Sequence, residues 1–398
     1  MTAFYRSIKI LIPFLLVFSF SHCIQGQPAK VITPGAWQTT LYFPLLKNKS
    51  IALVANHTST IGDQHLADSL LHAGFELKKV FSPEHGFRGK ADAGQLVADA
   101  IDRVTGLPVI SLYGNNKKPR TEDMEDVDIV IFDIQDVGAR FYTYISTMTL
   151  VMEACAEKNI PLIVLDRPNP NGFYVDGPVL EKEFASFVGM HPVPIVHGMT
   201  VGEYAQMVNG EGWLENGLKS DLRIIPVASY THRDFYELPL KPSPNLPNKY
   251  AVYLYPSLCL FEGTVVSVGR GTELPFQVIG HPDFVAGSYC FTPRSMSGAT
   301  KPPYMDTPCF GMNLMDFASN MKENPAQIHL FWLITFHQQL SDKTMFFNNF
   351  FDKLAGNAEL RTQIAQGMSE EEIRASWQPG LAKFKEIRKK YLLYEDFE

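Results

Sequence analysis

The chain has 398 residues, 45% of them apolar and 19% charged, and carries a net charge of −7. That apolar content excludes a disordered or low-complexity chain, and the length exceeds one ordinary domain. An acidic chain without a basic run excludes nucleic acid and anionic membrane surfaces as natural partners.

In chain order, Arg6 and Lys9 precede the apolar stretch Ile10–Phe20, followed by Ser21-His22-Cys23-Ile24-Gln25-Gly26-Gln27. A positive start and an apolar stretch of about eleven residues match a secretory signal, whereas a bilayer span needs roughly 20. The expectation is a signal peptide over residues 1–26 and an exported, periplasmic mature chain. Lipid anchoring at Cys23 is the alternative, although Phe20-Ser21-His22 makes a poor lipobox. Cleavage removes Arg6 and Lys9 and no carboxylate, so the mature chain is more acidic still. No later run is long and apolar enough to span a bilayer. Cys155, Cys259, Cys290 and Cys309 remain, an even number that permits disulfides in an oxidising compartment.

Between residue 51 and about 230, short β-branched runs alternate with helical patterns. The runs are Ile51–Ala55, Leu77–Phe81, Val109–Leu112, Ile129–Phe132, Leu162–Leu165 and Arg223–Val227. Helix candidates between them include Gln64–Ala73, Thr143–Lys158 and Val201–Asn209. Strands apolar on both faces and separated by helices predict a doubly wound α/β fold with a mostly parallel sheet. A proline-dense connector over residues 238–247 then breaks the pattern. A smaller α+β domain is expected beyond it, which gives domains at 27–245 and 246–398.

The densest polar clusters follow strand ends, where an open α/β sheet gathers ligands. The first is Asn56-His57-Thr58-Ser59, in which Asn56 equally suits a cap for a helix beginning near Gly62. The second, Ser82-Pro83-Glu84-His85-Gly86-Phe87-Arg88-Gly89, joins a carboxylate to an imidazole, with Gly86 and Gly89 giving backbone freedom. Glu84 and His85 are therefore the candidate catalytic residues. The third runs from Asp133 to Tyr144 and offers Gln135, Asp136, Arg140 and Tyr142; the fourth offers Asp166, Arg167 and Asn169. Asp166 beside Arg167 also suits a local ion pair, and residues 169–172 are good turn chemistry by themselves. In the C-terminal half, Glu262, Arg270 and Glu273 form a Gly-rich cluster that suits either a β-hairpin or a cover over the first domain's strand ends.

Acid–base work is the chemistry these residues suggest. A carboxyl group partly removed from water keeps its proton longer and can pass it to a leaving oxygen. Arg88, Arg140 and Arg167 could hold an anionic group, and Tyr142 and Tyr144, with Phe87 or Phe141, could pack on a sugar face. No Gly-x-Gly-x-x-Gly and no phosphate-binding Lys-Ser/Thr loop is present, so no nucleotide cofactor is expected. His-Glu-x-x-His and Gly-x-Ser-x-Gly are also missing. A metal on His57, His85, Asp133 and Asp166 lacks supporting spacing, and none is expected.

The five blocks resemble one family, in the same order from about residue 35 to the C-terminus. They are Asn56-His57-Thr58, Ser82–Gly89, Asp133–Tyr144, Asp166–Pro170 and Phe261-Glu262-Gly263-Thr264 with Gly269-Arg270-Gly271-Thr272. The family is the NamZ-like exo-β-N-acetylmuramidases, glycoside hydrolase family 171. The resemblance implies a Rossmann-like first domain without a nucleotide, a smaller second domain, and an active site between them. It implies release of N-acetylmuramic acid from the non-reducing ends of peptidoglycan fragments, with Glu84 at the position of the family's proposed catalytic glutamate. A second carboxylate is expected from among Glu262, Glu273, Asp136 and Asp166, unless the substrate's 2-acetamido group replaces it as nucleophile. The remaining binding roles are expectations from chemistry. A metal-dependent amide or ester hydrolase and a non-catalytic envelope glycan-binding protein are the rival readings. A monomer or small homo-oligomer is expected.

Overall fold

The computed structural model describes residues 30–88, 99–324 and 326–398, so the segment expected to be a signal peptide, Cys23 and Gly89 lie outside the described residues. All six apolar runs become strands of one sheet. They are β1 (Ser50–Ala55), β2 (Glu76–Ser82), β4 (Pro108–Ser111), β5 (Ile129–Asp133), β6 (Leu162–Leu165) and β7 (Leu222–Ile225), and all pair in parallel. The two-residue strand β3 (Ala100–Ile101) adds an antiparallel edge, too short to leave a periodic signal. The spatial order is β3-β4-β2-β1-β5-β6-β7, a doubly wound arrangement.

Alternate residues of the central strands enter different cores, as a period of two requires. Ala52, Val54, Val130, Phe132, Leu162 and Val164 face one core, and Ile51, Leu53, Ile129, Ile131, Ile163 and Leu165 face the other. Helix α1 (Leu66–His72) covers the second core. Helices α2 (Tyr144–Lys158) and α3 (Val201–Glu211) cover the first. α1 begins later than a start near Gly62 would place it, and its cap is His65, whose Nδ1 accepts the Ala67 N–H at 3.1 Å.

The C-terminal half builds on the first core. Helices α4 (Lys249–Leu258), α5 (Phe331–Gln339), α6 (Phe351–Ala355) and α7 (Glu370–Arg388) all contribute to it. A small antiparallel sheet lies in this half, with β8 (Val278–His281) and β9 (Tyr289–Phe291) flanking β10 (Cys309–Asn313). Residues 262–272 do not form a hairpin. Thr264 bridges to Phe347 and Ser267 to Gly280, so the segment pairs with distant chain rather than with itself. The four cysteines are free thiols. No described helix is long and apolar enough to cross a membrane.

Candidate active site

Glu84 leaves the carboxyl end of β2 in a tight turn. The Gly86 N–H donates to the Pro83 carbonyl at 3.1 Å, and His85 (φ 69°) and Gly86 (φ 75°) are consecutive left-handed residues. Glycine takes that conformation freely, whereas the buried His85 takes it at a cost that surrounding structure must sustain. The turn delivers Glu84 to a cavity of about 770 Å³, within the size range of small-ligand sites. Further walls come from Tyr113 after β4, from Phe141–Tyr144 after β5, from Ser243, Asn245 and Leu246 of the proline-dense connector, and from Tyr255 of α4.

Hydroxyl groups surround the Glu84 carboxylate. Thr143 Oγ1 donates to its Oε2 at 3.3 Å, and Tyr113 hydrogen-bonds to it as well. Burial, and then the charge and hydrogen bond of Glu84, push the Tyr113 phenol above its ordinary pKa. Tyr142 donates to the Pro242 carbonyl at 2.9 Å and meets Tyr144 and Tyr255 edge-on at 4.8 and 5.8 Å, a rigid aromatic wall. Among the described residues, the other carboxylate lining the cavity is Glu262, whose Oε1 accepts from Arg270 Nε at 2.7 Å. Burial works against the Arg270 cation, but the charge and hydrogen bond of Glu262 outweigh it and hold the pKa above its usual value. Arg270 also lies over the Phe276 ring at 5.0 Å.

Of the residues expected from sequence, Glu84, His85, Phe141, Tyr142, Tyr144, Glu262 and Arg270 line this cavity. The others do not. Asn56 Oδ1 accepts from Thr58 N and Oγ1, closing its own turn rather than capping a helix. His57 Nε2 contacts the Lys241 carbonyl at 2.8 Å and so docks the connector. Arg88 is held by Asp102, and Phe87 packs on His65 in the second core rather than facing a sugar. Gln135 donates to the Asp136 and Pro168 carbonyls, while Asp136 Oδ2 accepts the Gly138 N–H at 2.6 Å. The completely buried Arg140 donates to the carbonyls of Pro178, Val193, Leu354 and Ala355. Arg167 pairs with Asp133 rather than with its neighbour Asp166, which instead accepts the N–H of Gly202 at the start of α3. Asn169 ties the Met199 carbonyl to the turn at Asn171, and Glu273 is exposed away from the cavity.

One physical cause covers the placement of the buried strand-end residues. The strand-end loops lie under the connector and the C-terminal half, so their backbone groups lose water and take side-chain partners instead. Tyr113, Thr143, Asn245, Tyr255 and Lys301 are cavity residues outside the expected set. For Asn245 the connector's prolines were the available signal, since a chain that cannot be helix or strand is free to wrap a site. Among the described residues, no group of three or more His, Cys, Asp or Glu side chains converges as a metal site would.

A carboxylate held among hydroxyls at the carboxyl edge of a parallel sheet, with a second carboxylate and an aromatic wall in the same cavity, is an arrangement that fits the glycoside hydrolase class. Residues 51–250 match the family model for the N-terminal part of exo-beta-N-acetylmuramidase NamZ, and residues 253–394 match the model for its C-terminal part. The chain belongs to the NamZ exo-β-N-acetylmuramidase family. It is 40% identical over 372 residues to the peptidoglycan beta-N-acetylmuramidase NamZ of Bacillus subtilis (strain 168), a match covering 89% of each chain. Two crystal structures of DUF1343 family proteins from Bacteroides fragilis NCTC 9343 are similar to it. One is 49% identical with a TM-score of 0.85, covering 92% of this chain and 99% of the other. The second is 28% identical with a TM-score of 0.77, covering 92% and 100%.

Proposed function

We propose that this protein is an exo-acting glycosidase that releases N-acetylmuramic acid from the non-reducing ends of peptidoglycan fragments during cell-wall turnover. We further infer that it is exported to the periplasm on the signal carried by residues 1–26. The observation that carries the enzymatic reading is the placement of Glu84, at a strained turn, among hydroxyl donors, inside an aromatic cavity of sugar size. Glu84 is the proton donor: as the anomeric carbon–oxygen bond breaks, its carboxyl proton passes to the departing glycosidic oxygen. The resulting carboxylate then takes a proton from the incoming water. Glu262 is unsuited to donate, because its ion pair with Arg270 requires the anion. Its negative charge instead stabilises the positive charge that develops at the anomeric carbon or orients the 2-acetamido group.

The test is incubation of the mature protein with a chromogenic β-N-acetylmuramide and with the matching β-N-acetylglucosaminide, with and without chelator. Release from the muramide alone, unchanged by chelator, is expected. Glu84→Gln should lower kcat by at least roughly a hundredfold while the folded far-UV spectrum and unfolding midpoint stay in place. Full activity of that variant would overturn the assignment. Tight glycan binding without product would move the protein to the non-catalytic reading, and loss of release with chelator to the metal-dependent one.

A further inference from the structure

A muramide differs from a glucosaminide by one lactyl ether, which ends in a carboxylate. A site that reads this difference therefore has to supply a cation. Three arginines expected for the task are committed elsewhere: Arg88 to Asp102, Arg167 to Asp133, and Arg140 to four carbonyls. Arg270 lines the cavity, but its Nε is already engaged by Glu262 in an ion pair. Among the described residues, the remaining Lys or Arg in the cavity lining is Lys301, and it enters no ion pair and no hydrogen bond there.

Resting on the muramidase reading, we propose that Lys301 recognises the lactyl carboxylate and sets the preference for muramides over glucosaminides. The segment that carries it is fixed from both sides. A reciprocal Met296–Ala299 bridge closes the turn before it, and Asn245 Nδ2 of the connector donates to the Gly298 carbonyl at 2.8 Å. Pro302, directly after Lys301, packs so closely on Gly271 that a β-carbon there would stand 2.5 Å from its ring. Lys301 is thus tethered to the loop that carries Arg270, and its stem is free while its anchor is not. An ammonium on an exposed, flexible stem can follow a mobile lactyl group and turn one of its three donors to the carboxylate.

The test compares the chromogenic muramide with its lactyl methylamide, which keeps the shape and removes the charge. Wild-type turnover of the carboxylate form reports on the muramidase reading itself. The Lys301 proposal is read from a cycle of enzyme and substrate changes. For the wild type, amidation should raise KM on the order of tenfold. For Lys301→Ala, KM for the carboxylate form should rise by a similar factor with kcat held, and amidation should then cost almost nothing further. Lys301→Arg should recover most of the preference, and the wild-type preference should shrink with added salt. If Lys301→Ala still discriminates against the methylamide as the wild type does, the proposal fails. If wild-type protein cleaves neither substrate, calorimetry with free N-acetylmuramic acid decides: weaker binding to Lys301→Ala supports the role, and equal binding ends it.

Discussion

Arg140 carries a full positive charge into the interior, where among the described residues no carboxylate meets it. Burial pushes its pKa down to about 9, still well above neutrality, so the guanidinium stays charged and the four carbonyl dipoles hold it. Those carbonyls come from Pro178 and Val193 on one side and from Leu354 and Ala355 of α6 on the other, so the side chain rivets the strand-end loops to the C-terminal half. Arg140→Met should strip all four acceptors of their donor and cost roughly 3 kcal/mol or more, with Arg140→Lys losing less. A chemical-denaturation midpoint measures this. KM for the muramide should change less than twofold in the folded fraction. A raised KM at unchanged stability would return Arg140 to contact with substrate. In the sequence, an arginine two residues after a glycine looks the same whether it faces ligand or carbonyls, because both present oxygen. Only the fold decides which oxygen it meets.

Helix α3 shows the same substitution of scaffold for site at the scale of an element. Thr200 and Glu203 form a capping box, and Asp166 adds a second layer by accepting Gly202 N, Thr200 Oγ1 and Tyr394 Oη. With Arg167 N also donating, four donors converge on two oxygens. Asp166→Asn keeps the shape but turns an amide N–H₂ toward donors, so a loss of roughly 2 kcal/mol is expected, with kcat/KM on the muramide retained. Melting temperature and steady-state kinetics on the same preparation check both halves, and a large loss of kcat/KM at unchanged melting temperature would defeat the scaffold role. Six parallel strands were legible as short apolar runs between helical patterns, most clearly β1, β5 and β6, which are buried on both faces, and α2 and α3 because their patterns are long. The antiparallel edge Ala100–Ile101 was not, since two residues carry no period. The Glu84 turn was legible because acid, imidazole and glycine together exceed what a plain loop needs. The strand-end polar residues misled because burial, which decides their role, is a property of distant chain packed above them.

The molecule as a whole has a pH dependence whose sign follows from its buried titratable groups. Burial lowers seven histidines, His57, His65, His191, His197, His281, His329 and His337, with His191 and His329 reaching about 4 and His197 about 3. Each stays neutral when folded and takes up a proton on unfolding once the pH drops below about 6.5, so each removes stability as the pH falls. Two carboxyls act in the opposite sense. Burial raises Asp136 to about 7 and Asp166 to about 6, so both hold protons in the folded state that the unfolded chain releases. Their contribution is complete below about 4 and is lost as the pH rises through those values. Between pH 5 and 6 two of the three strongly shifted histidines roughly offset the two carboxyls, and the third, with the other four histidines, tips the balance toward acid lability. Above about 6.5 only Asp136 still titrates, so the rise with pH ends there. The thermal midpoint should therefore peak between pH 6 and 7 and drop by several degrees at pH 5. His197→Gln should flatten the acid limb, because it removes one of the groups that binds a proton only when unfolded. A midpoint that climbs toward pH 5 would show that the carboxyls dominate, and that Asp136 and Asp166 weigh more than all the buried imidazoles together.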